Sequence, residues 1–218
     1  TDKTLEICQQ YSNVKIFSRS WPGHVAQKQF GLSQCSHNWV LNIDADEEVS
    51  PELRYEIEDI LRDSSPAQFD KAGYKISRIV RFLDRWWDKG GWYPEMRLRL
   101  VRKDLTTWGG SDPHEKAFVQ GKVAKLSGPL FHYTYENLSD QMDRLNKFSL
   151  SSAHALAKQG KRFWFFNLLL NPLFRFFKFY LYKKGFLEGR AGFIVAVNEA
   201  ISTFLKYAKL WELEHRSK

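Results

Sequence analysis

The sequence has few cysteines and no long uninterrupted apolar segment, and both shortages narrow the classes of protein that it can encode. Two cysteines in 218 residues are too few for a disulfide framework and fit a reducing compartment. The most apolar stretch, FWFFNLLLNPLFRFFKFYLY at residues 163–182, is interrupted by two asparagines, Pro172, Arg175 and Lys178. A cation at the centre of a membrane-spanning helix costs about 2.5–3.5 kcal/mol on insertion scales. A helix lying in the membrane interface is therefore favoured over a span.

Acidic residues are scarce in the last quarter of the chain, where basic and aromatic residues are concentrated. Residues 1–157 carry 21 Lys+Arg and 21 Asp+Glu, whereas residues 158–218 carry 12 and 4, and they also hold 15 of the 34 aromatic residues. This composition is typical of a surface that meets an anionic partner, either nucleic acid or a membrane. The long Phe and Leu runs exceed what base stacking needs, so we expect no nucleic-acid partner. We divide the chain into a domain at 1–157 and a membrane-associating helical tail at 158–218.

An acidic cluster follows an apolar run in the segment WVLNIDADEEVSP, residues 39–51. The apolar run predicts a buried strand, and Ser50 with Pro51 predicts the start of a helix. With a strand predicted over 14–17 and a helix over 24–35, the pattern alternates as in a parallel α/β sheet. The acidic groups are then expected at the carboxyl edge of the sheet, where open α/β folds bind ligands.

The middle of the chain predicts further β-structure. Long β-type runs occupy residues 72–101, and a hairpin is predicted within 112–131 around Gln120 and Gly121. Asn137, with Asp140 three residues on, predicts the start of a long helix. Trp86, Trp87 and Trp92 flank a Gly-Gly pair. They are suited either to stacking on a sugar or to a small core beneath the loop.

Asp44 and Asp46 are two residues apart, a spacing that places both carboxylates on one side of an extended segment. Both can then face one Mg²⁺ or Mn²⁺, ions that take oxygen ligands and complete their shell with substrate phosphate. The alternative is a solvated acidic turn that only begins the next helix. An EF-hand loop is excluded, because Val49 and Tyr55 stand where it needs Gly and Glu.

These segments resemble glycosyltransferase family 2, the inverting GT-A type, and within it the bacterial lipopolysaccharide-core β-1,4-glucosyltransferases. TDKT at the start is similar to the end of the family's GSTDxT segment, residues 24–31 to its AxQKNxG helix, and WVLNIDADEEVSPEL to its consensus. Tyr93-Pro94, residues 97–102, His114-Glu115 and residues 130–135 also resemble that branch. The family's first strand, with its uracil-binding acidic residue, has no counterpart here. The resemblance therefore implies a GT-A fold with a Rossmann-like mixed sheet that lacks its first strand.

The resemblance also implies a nucleotide-sugar donor, UDP-glucose, whose diphosphate is held by Mg²⁺ or Mn²⁺. Asp44 is expected near the ribose and the metal, Asp46 as the direct metal ligand, and His114 and His132 as further metal ligands. Glu115 is expected to deprotonate the acceptor hydroxyl, with Asp112 in reserve. Lys28, Arg97, Arg99, Arg144 and Lys147 are candidates for holding the diphosphate, each with the alternative of a surface charge.

The expected reaction is inverting transfer of glucose to a heptose of the lipid-linked core oligosaccharide of lipopolysaccharide. The enzyme is expected to lie peripherally on the cytoplasmic face of the bacterial inner membrane, held on its anionic surface by the tail. Two alternatives stay open. One is a related transferase with another donor or a polyprenyl-phosphate acceptor, and the other is a membrane-surface protein with no catalytic activity.

Overall fold

The computed structural model describes residues 3–63, 70–111 and 114–216. Its helices are α1 (Thr4–Gln9), α2 (His24–Gln34), α3 (Pro51–Arg62), α4 (Leu138–Lys158), α5 (Phe165–Phe177) and α6 (Gly189–Arg216). Its strands are β1 (Trp39–Leu41), β2 (Glu47–Val49), β3 (Lys71–Phe82), β4 (Arg85–Trp87), β5 (Glu95–Arg102), β6 (Thr106–Ser111), β7 (His114–Val119), β8 (Lys122–Lys125) and β9 (Leu130–His132). Short 3₁₀ turns lie at Lys103–Leu105 and Gly185–Glu188, and a π-helical turn at Lys178–Tyr182 follows α5.

The central sheet is mixed and is built around the long strand β3. Its order is β1-β5-β3-β9-β2, and β4 and β8 also pair with β3. Strands β8 and β9 run parallel to β3, whereas β4 and β5 run antiparallel to it. The expected parallel arrangement is wrong for β1 and β2, which pair antiparallel with β5 and β9. A mixed α/β sheet followed by helices is consistent with the GT-A class.

Two sequence predictions are wrong. Residues 14–17 form no strand: they pair with no described strand, and Val14, Ile16 and Phe17 lie exposed. The hairpin around Gln120 and Gly121 does not form either, since β7 pairs with β6 and β8 pairs with β3. Gly121 has φ +137°, and a Cβ there would meet Cβ of Ala72 at 2.8 Å, so the chain turns there from one sheet to the other.

The predicted helix starts are confirmed. Ser50 caps α3 by accepting a hydrogen bond from the backbone N–H of Leu53 at 3.1 Å, with Pro51 as the first helical residue. Asn137 caps α4 in the same way, accepting from the N–H of Asp140 at 3.0 Å. The ends of α2 agree with the pattern predicted for residues 24–35.

Two buried clusters hold the described residues together. The first lies between α3 and the sheet and contains Leu53, Tyr74, Ile76, Leu100 and Leu130. The second joins the sheet to the helical tail and contains Val80, Phe82, Trp87, Phe179, Val195 and Ala196.

The Gly-Gly pair of the aromatic loop lies at this junction. A Cβ on Gly90 would lie 2.3 Å from the backbone oxygen of Lys184, and one on Gly91 would lie 2.5 Å from the ring of Phe179. The two glycines therefore let the loop pack against the tail.

Helix α5 packs differently from the other long helices, because none of its residues is fully buried. Its large apolar side chains are about half exposed or more: Phe165, Phe166, Leu169, Leu170, Leu173, Phe174 and Phe177. Among the described helices, none combines the length and apolar character needed to cross a membrane. We refer to these seven side chains as the apolar face of α5.

We predict that Phe179→Ala lowers the free energy of unfolding by about 3–5 kcal/mol, because it leaves a cavity where the tail meets Trp87 and Trp92. Phe174→Ala removes the same atoms from an exposed position and should change that free energy by less than about 0.5 kcal/mol. Urea unfolding followed by tryptophan fluorescence measures both. Equal midpoints for the two variants would show that Phe179 does not hold the tail to the sheet.

Candidate active site

The acidic cluster forms a tight turn between β1 and β2. The backbone N–H of Glu47 donates to the carbonyl oxygen of Asp44 at 3.1 Å, so these two residues are the ends of a β-turn. The prediction that this segment is extended is therefore wrong. The turn sends Asp44 toward α2 and β5, and Asp46 toward the end of β9.

Asp44 is held by two cations. Its Oδ1 accepts a hydrogen bond from Nζ of Lys28 at 2.5 Å, and its Oδ2 accepts from Nη2 of Arg99 at 2.6 Å. Burial alone raises the pKa of Asp44, but the hydrogen bond from Lys28 and the charge of Arg99 outweigh burial and lower it from 3.8 to about 2. Asp44 is therefore a charged carboxylate over the whole physiological pH range, and each of its oxygens already accepts one hydrogen bond from a cation.

Glu47 accepts hydrogen bonds from three residues of the site, and sequence reasoning assigned it no role. Its side chain is completely buried and accepts hydrogen bonds from Nη2 of Arg99 and from Nη1 of Arg78, the latter at 3.2 Å. Its second oxygen accepts from the backbone N–H of Asp44 at 2.9 Å. Arg78 extends the network to Glu95, with an Nη2 to Oε2 distance of 2.6 Å.

Arg99 reaches this network because β5 carries a bulge. Leu98 and Leu100 stand opposite the consecutive residues Lys75 and Tyr74, so Arg99 is an extra residue in the strand. A bulge bends a strand and re-aims the side chain at that point. Unbroken alternation of Met96, Leu98 and Leu100 with the arginines would place Arg99 on the face opposite Leu100. Its side chain is only 8% exposed.

Asp46 remains available for a ligand. Its side chain is 44% exposed, and its Oδ2 lies 3.2 Å from Nε2 of the buried His132. Burial and the charge of Arg78 lower the pKa of His132 and outweigh the charges of Asp46 and Glu47, which raise it. The imidazole is therefore neutral near pH 7, the form in which histidine binds metals. Thr134 Oγ1, at 2.7 Å from Nδ1, orients the ring.

Asp46 and His132 fit the part of a metal shell that a protein supplies to Mg²⁺ or Mn²⁺. Among the residues that the structure describes, no group of three or more His, Cys, Asp or Glu side chains is placed to hold a metal by itself. Such ions are commonly bound through one or two carboxylates, with substrate phosphate and water completing the shell. A carboxylate oxygen and an imidazole nitrogen are suitable donors for Mn²⁺ in particular.

Glu115 lies on the hairpin formed by β6 and β7, which packs against α2. Glu115 pairs with Gly110 and therefore shares a face of the hairpin with Trp108. Nζ of Lys28 lies 5.8 Å from the Trp108 ring centroid, and the N–H of Trp108 donates to Gln29 at 2.9 Å. The hairpin face that carries Glu115 is therefore turned toward Lys28, the residue that donates to Asp44. Asp112 and the side chain of His114 lie outside the described residues.

The remaining cations predicted to hold the diphosphate are engaged elsewhere or point outward. Arg97 is exposed and paired with Glu95, and Arg144 is exposed and paired with Asp140. Lys147 is exposed on α4. Of the five predicted cations, Lys28 and Arg99 are the two that contact the acidic turn.

A cavity of about 310 Å³ opens beside His132. It is lined by Arg78, Val80, Trp92, Pro94, Glu95, His132, Thr134, Tyr135 and Lys183. Of the three tryptophans in the aromatic loop, Trp92 lines this cavity, whereas Trp87 is buried in the core and Trp86 packs on Phe131 and Tyr133. Sequence reasoning missed Arg78, Glu95 and Lys183, because strands and a helix far apart in the chain bring them here.

The mixed sheet and the acidic turn at its edge are consistent with the GT-A class of glycosyltransferases. The family model for Glycosyl transferase family 2 matches residues 1–119, more than half of the sequence, and the chain belongs to that family. An uncharacterized glycosyltransferase of Rickettsia typhi is 31% identical over 229 residues, covering 100% of this chain and 77% of the relative. A lipopolysaccharide core biosynthesis glycosyltransferase of Rhizobium meliloti, LpsC, is 29% identical over 218 residues, covering 97% and 79%. The resemblance found in the sequence is thereby confirmed, and the protein is a transferase with a sugar donor and an acceptor.

We predict that the carboxyl group of Asp44 titrates with a pKa of about 2 in the folded chain. Because this pKa lies below the ordinary 3.8, the stabilisation it represents is complete above about pH 3.8 and is lost as the pH falls through about 2. Lys28→Met should raise the pKa toward 3.8, and Arg97→Met, which removes a cation that does not touch Asp44, should leave it unchanged. Carboxyl ¹³C NMR titration measures this, and an ordinary pKa in the unmodified chain would contradict the paired geometry.

Proposed function

We propose that this enzyme transfers glucose from UDP-glucose, with inversion, to a heptose of the lipopolysaccharide inner core. The observation that carries the proposal is the difference between the two aspartates of the acidic turn. Asp44 is paired with two cations, whereas Asp46 lies beside a neutral His132. The similarity to LpsC supports an acceptor in the lipopolysaccharide core. Rival donors, or a polyprenyl-phosphate acceptor, fit the same turn and are separated by donor and acceptor profiling.

In this proposal each charged group has a distinct task. Asp46 and His132 hold Mg²⁺ or Mn²⁺, which would stabilise the negative charge of the departing diphosphate. Asp44, kept in place by Lys28 and Arg99, accepts hydrogen bonds from the ribose of the donor. Arg97 and Arg144 are exposed enough to turn toward the diphosphate when a donor is bound, although neither contacts the turn in this structure.

Glu115 is proposed as the base. Its carboxylate takes the proton of the acceptor hydroxyl while the hydroxyl oxygen attacks the anomeric carbon, and the bond from that carbon to the diphosphate breaks. Inversion requires the base and the leaving group on opposite faces of the sugar. The half-buried Glu115, on a hairpin separate from the strand that carries His132, is suited to that placement. Asp112 remains the reserve candidate, and His114 a candidate third metal ligand.

We predict that Asp46→Asn weakens Mn²⁺-dependent UDP binding by at least about tenfold, the lower end of what the loss of an outer-shell partner costs at metal sites. His132→Ala should act in the same direction. Asp104→Asn is the matched control, because Asp104 is an exposed carboxylate paired with Arg102. Calorimetric titration of UDP with and without Mn²⁺ measures the effect, and a membrane-surface protein without activity would show no such binding in any variant.

A transfer assay with a panel of UDP-sugars and purified core oligosaccharide tests which residue is the base. Glu115→Gln should abolish transfer while keeping Mn²⁺-dependent UDP binding, since the amide still fits but no longer accepts a proton. Near-normal transfer by Glu115→Gln, together with loss of transfer in Asp112→Asn, would move the role of base to Asp112.

We also propose that the apolar face of α5 docks on the anionic cytoplasmic surface of the inner membrane. This face is not covered by the rest of the described chain, and the tail around it carries the basic excess that complements anionic headgroups. Lys161 and Arg162 precede the helix, and Lys178, Lys183 and Lys184 follow it. The docked helix keeps the enzyme at the surface where a lipid-linked acceptor is found.

Replacing Phe166, Leu170 and Leu173 together by serine should lower binding to vesicles containing phosphatidylglycerol by at least about tenfold, because burial of one such side chain contributes about 1.5–3 kcal/mol. The control replaces Tyr55 and Phe118, which are exposed apolar residues on other elements. Vesicle flotation measures bound protein. Equal flotation of both variants would show that α5 is not the docking surface.

A further inference from the structure

A cavity with a cationic wall lies where the helical tail packs on α4, away from the acidic turn. It has a volume of about 390 Å³ and is bordered by α4, α5, the π-helical turn and α6. Three cations line it, Arg175, Lys178 and Lys206, together with the hydroxyl groups of Ser149, Ser152, Ser202, Thr203 and Tyr207. Phe174, from the apolar face of α5, also lines it, so the cavity adjoins the surface that we propose to dock on the membrane.

The cations of this cavity are incompletely neutralised. Glu199 pairs with Arg175, with an Oε2 to Nη2 distance of 2.5 Å, and its other oxygen accepts from Nε1 of Trp92 at 3.2 Å. In the described ranges, neither Lys206 nor Lys178 forms a salt bridge with a carboxylate. Lys206 is half-buried, with Nζ 4.6 Å from the ring centroid of Tyr207, and burial and the charge of Arg175 lower its pKa. An anion in the cavity would remove this unfavourable electrostatic energy.

The cavity is related to the candidate active site through lining residues shared with another cavity. A second cavity, of about 180 Å³, has Phe148, Glu199 and Ser202 in common with it. That second cavity shares Trp92 and Tyr135 with the cavity beside His132. The three cavities thus adjoin in a row from the apolar face of α5 to the residue that lies against Asp46.

We propose that the tail cavity binds a phosphate group of the acceptor, with Lys206 and Lys178 as its ligands, while the acceptor sugar extends along the row of cavities toward His132. The proposal rests on the proposed function, because it assumes a lipid-linked sugar acceptor. It adds a second anion-binding subsite, formed by α4 and the tail and separate from the site of the donor diphosphate. The phosphate is an ester carried either by a sugar or by a lipid headgroup, and both present the same oxygens to the two ammonium groups.

The test is calorimetric titration of the full chain with glucose 6-phosphate, and separately with short-chain phosphatidic acid below its micelle concentration. We expect Lys206→Met to weaken binding of at least one probe by about tenfold or more, because a hydrogen bond to a charged group is lost. Lys178→Gln, at an exposed position where folding is not at risk, should weaken the same probe. Lys158→Met, an equal loss of charge at an exposed tail position outside these cavities, should not.

The probe that binds more tightly identifies the source of the phosphate, sugar or lipid. Absence of binding by both probes, or equal affinity in the unmodified chain and both cavity variants, would overturn the proposal. Mn²⁺-dependent UDP binding by the unmodified chain, measured in the same experiment, separates the two hypotheses. If the unmodified chain binds UDP but neither phosphate probe, this inference alone is rejected. If it does not bind UDP, the proposed function is rejected.

Discussion

The buried carboxylate of Glu47 is the constraint on which the arrangement of the site depends. A charge without access to water is tolerated only when it is paired and hydrogen-bonded, and breaking such a pair by removing one partner costs about 3–5 kcal/mol. Arg99 and Arg78 satisfy Glu47 from one side, and the backbone N–H of Asp44 satisfies it from the other. The bulge in β5 and the tight turn of the acidic cluster are what bring these donors within reach.

This network gives the two aspartates of the DxD pattern different electrostatic environments. Asp44 is enclosed by Lys28 and Arg99, and its pKa is correspondingly low. Among the residues that the structure describes, no Lys or Arg pairs with Asp46, and its neighbour His132 is kept neutral by burial and by Arg78. The cation of the proposed function would therefore be attracted to Asp46 more strongly than to Asp44, whose charge is already compensated.

The helical tail packs against the sheet and lines the cavity beside His132, in addition to carrying the basic excess. Phe179 packs with Val80, Phe82 and Trp87 from the sheet, and Lys183 accepts a hydrogen bond at its carbonyl oxygen from the N–H of Gly91 at 2.8 Å. Its side chain then lines the cavity beside His132. The surface proposed to meet the membrane and the surface proposed to meet the substrate are thus fixed relative to each other by one buried cluster.

The sequence by itself determined the family, the helix starts at Ser50 and Asn137, and the acidic cluster as the centre of the candidate site. Those features depend on residues that are close together in the chain, such as a capping side chain or a run of carboxylates beside an apolar strand. Such local features can be predicted from the sequence. The pairing of His132 with Asp46, the inward turn of Arg99, the role of Glu47 and the cationic cavity of the tail were decided by the tertiary structure. Each depends on contacts between separate elements, made through a bulge, a strand pairing or a helix crossing, and periodicity along the chain does not encode which distant element a residue will face.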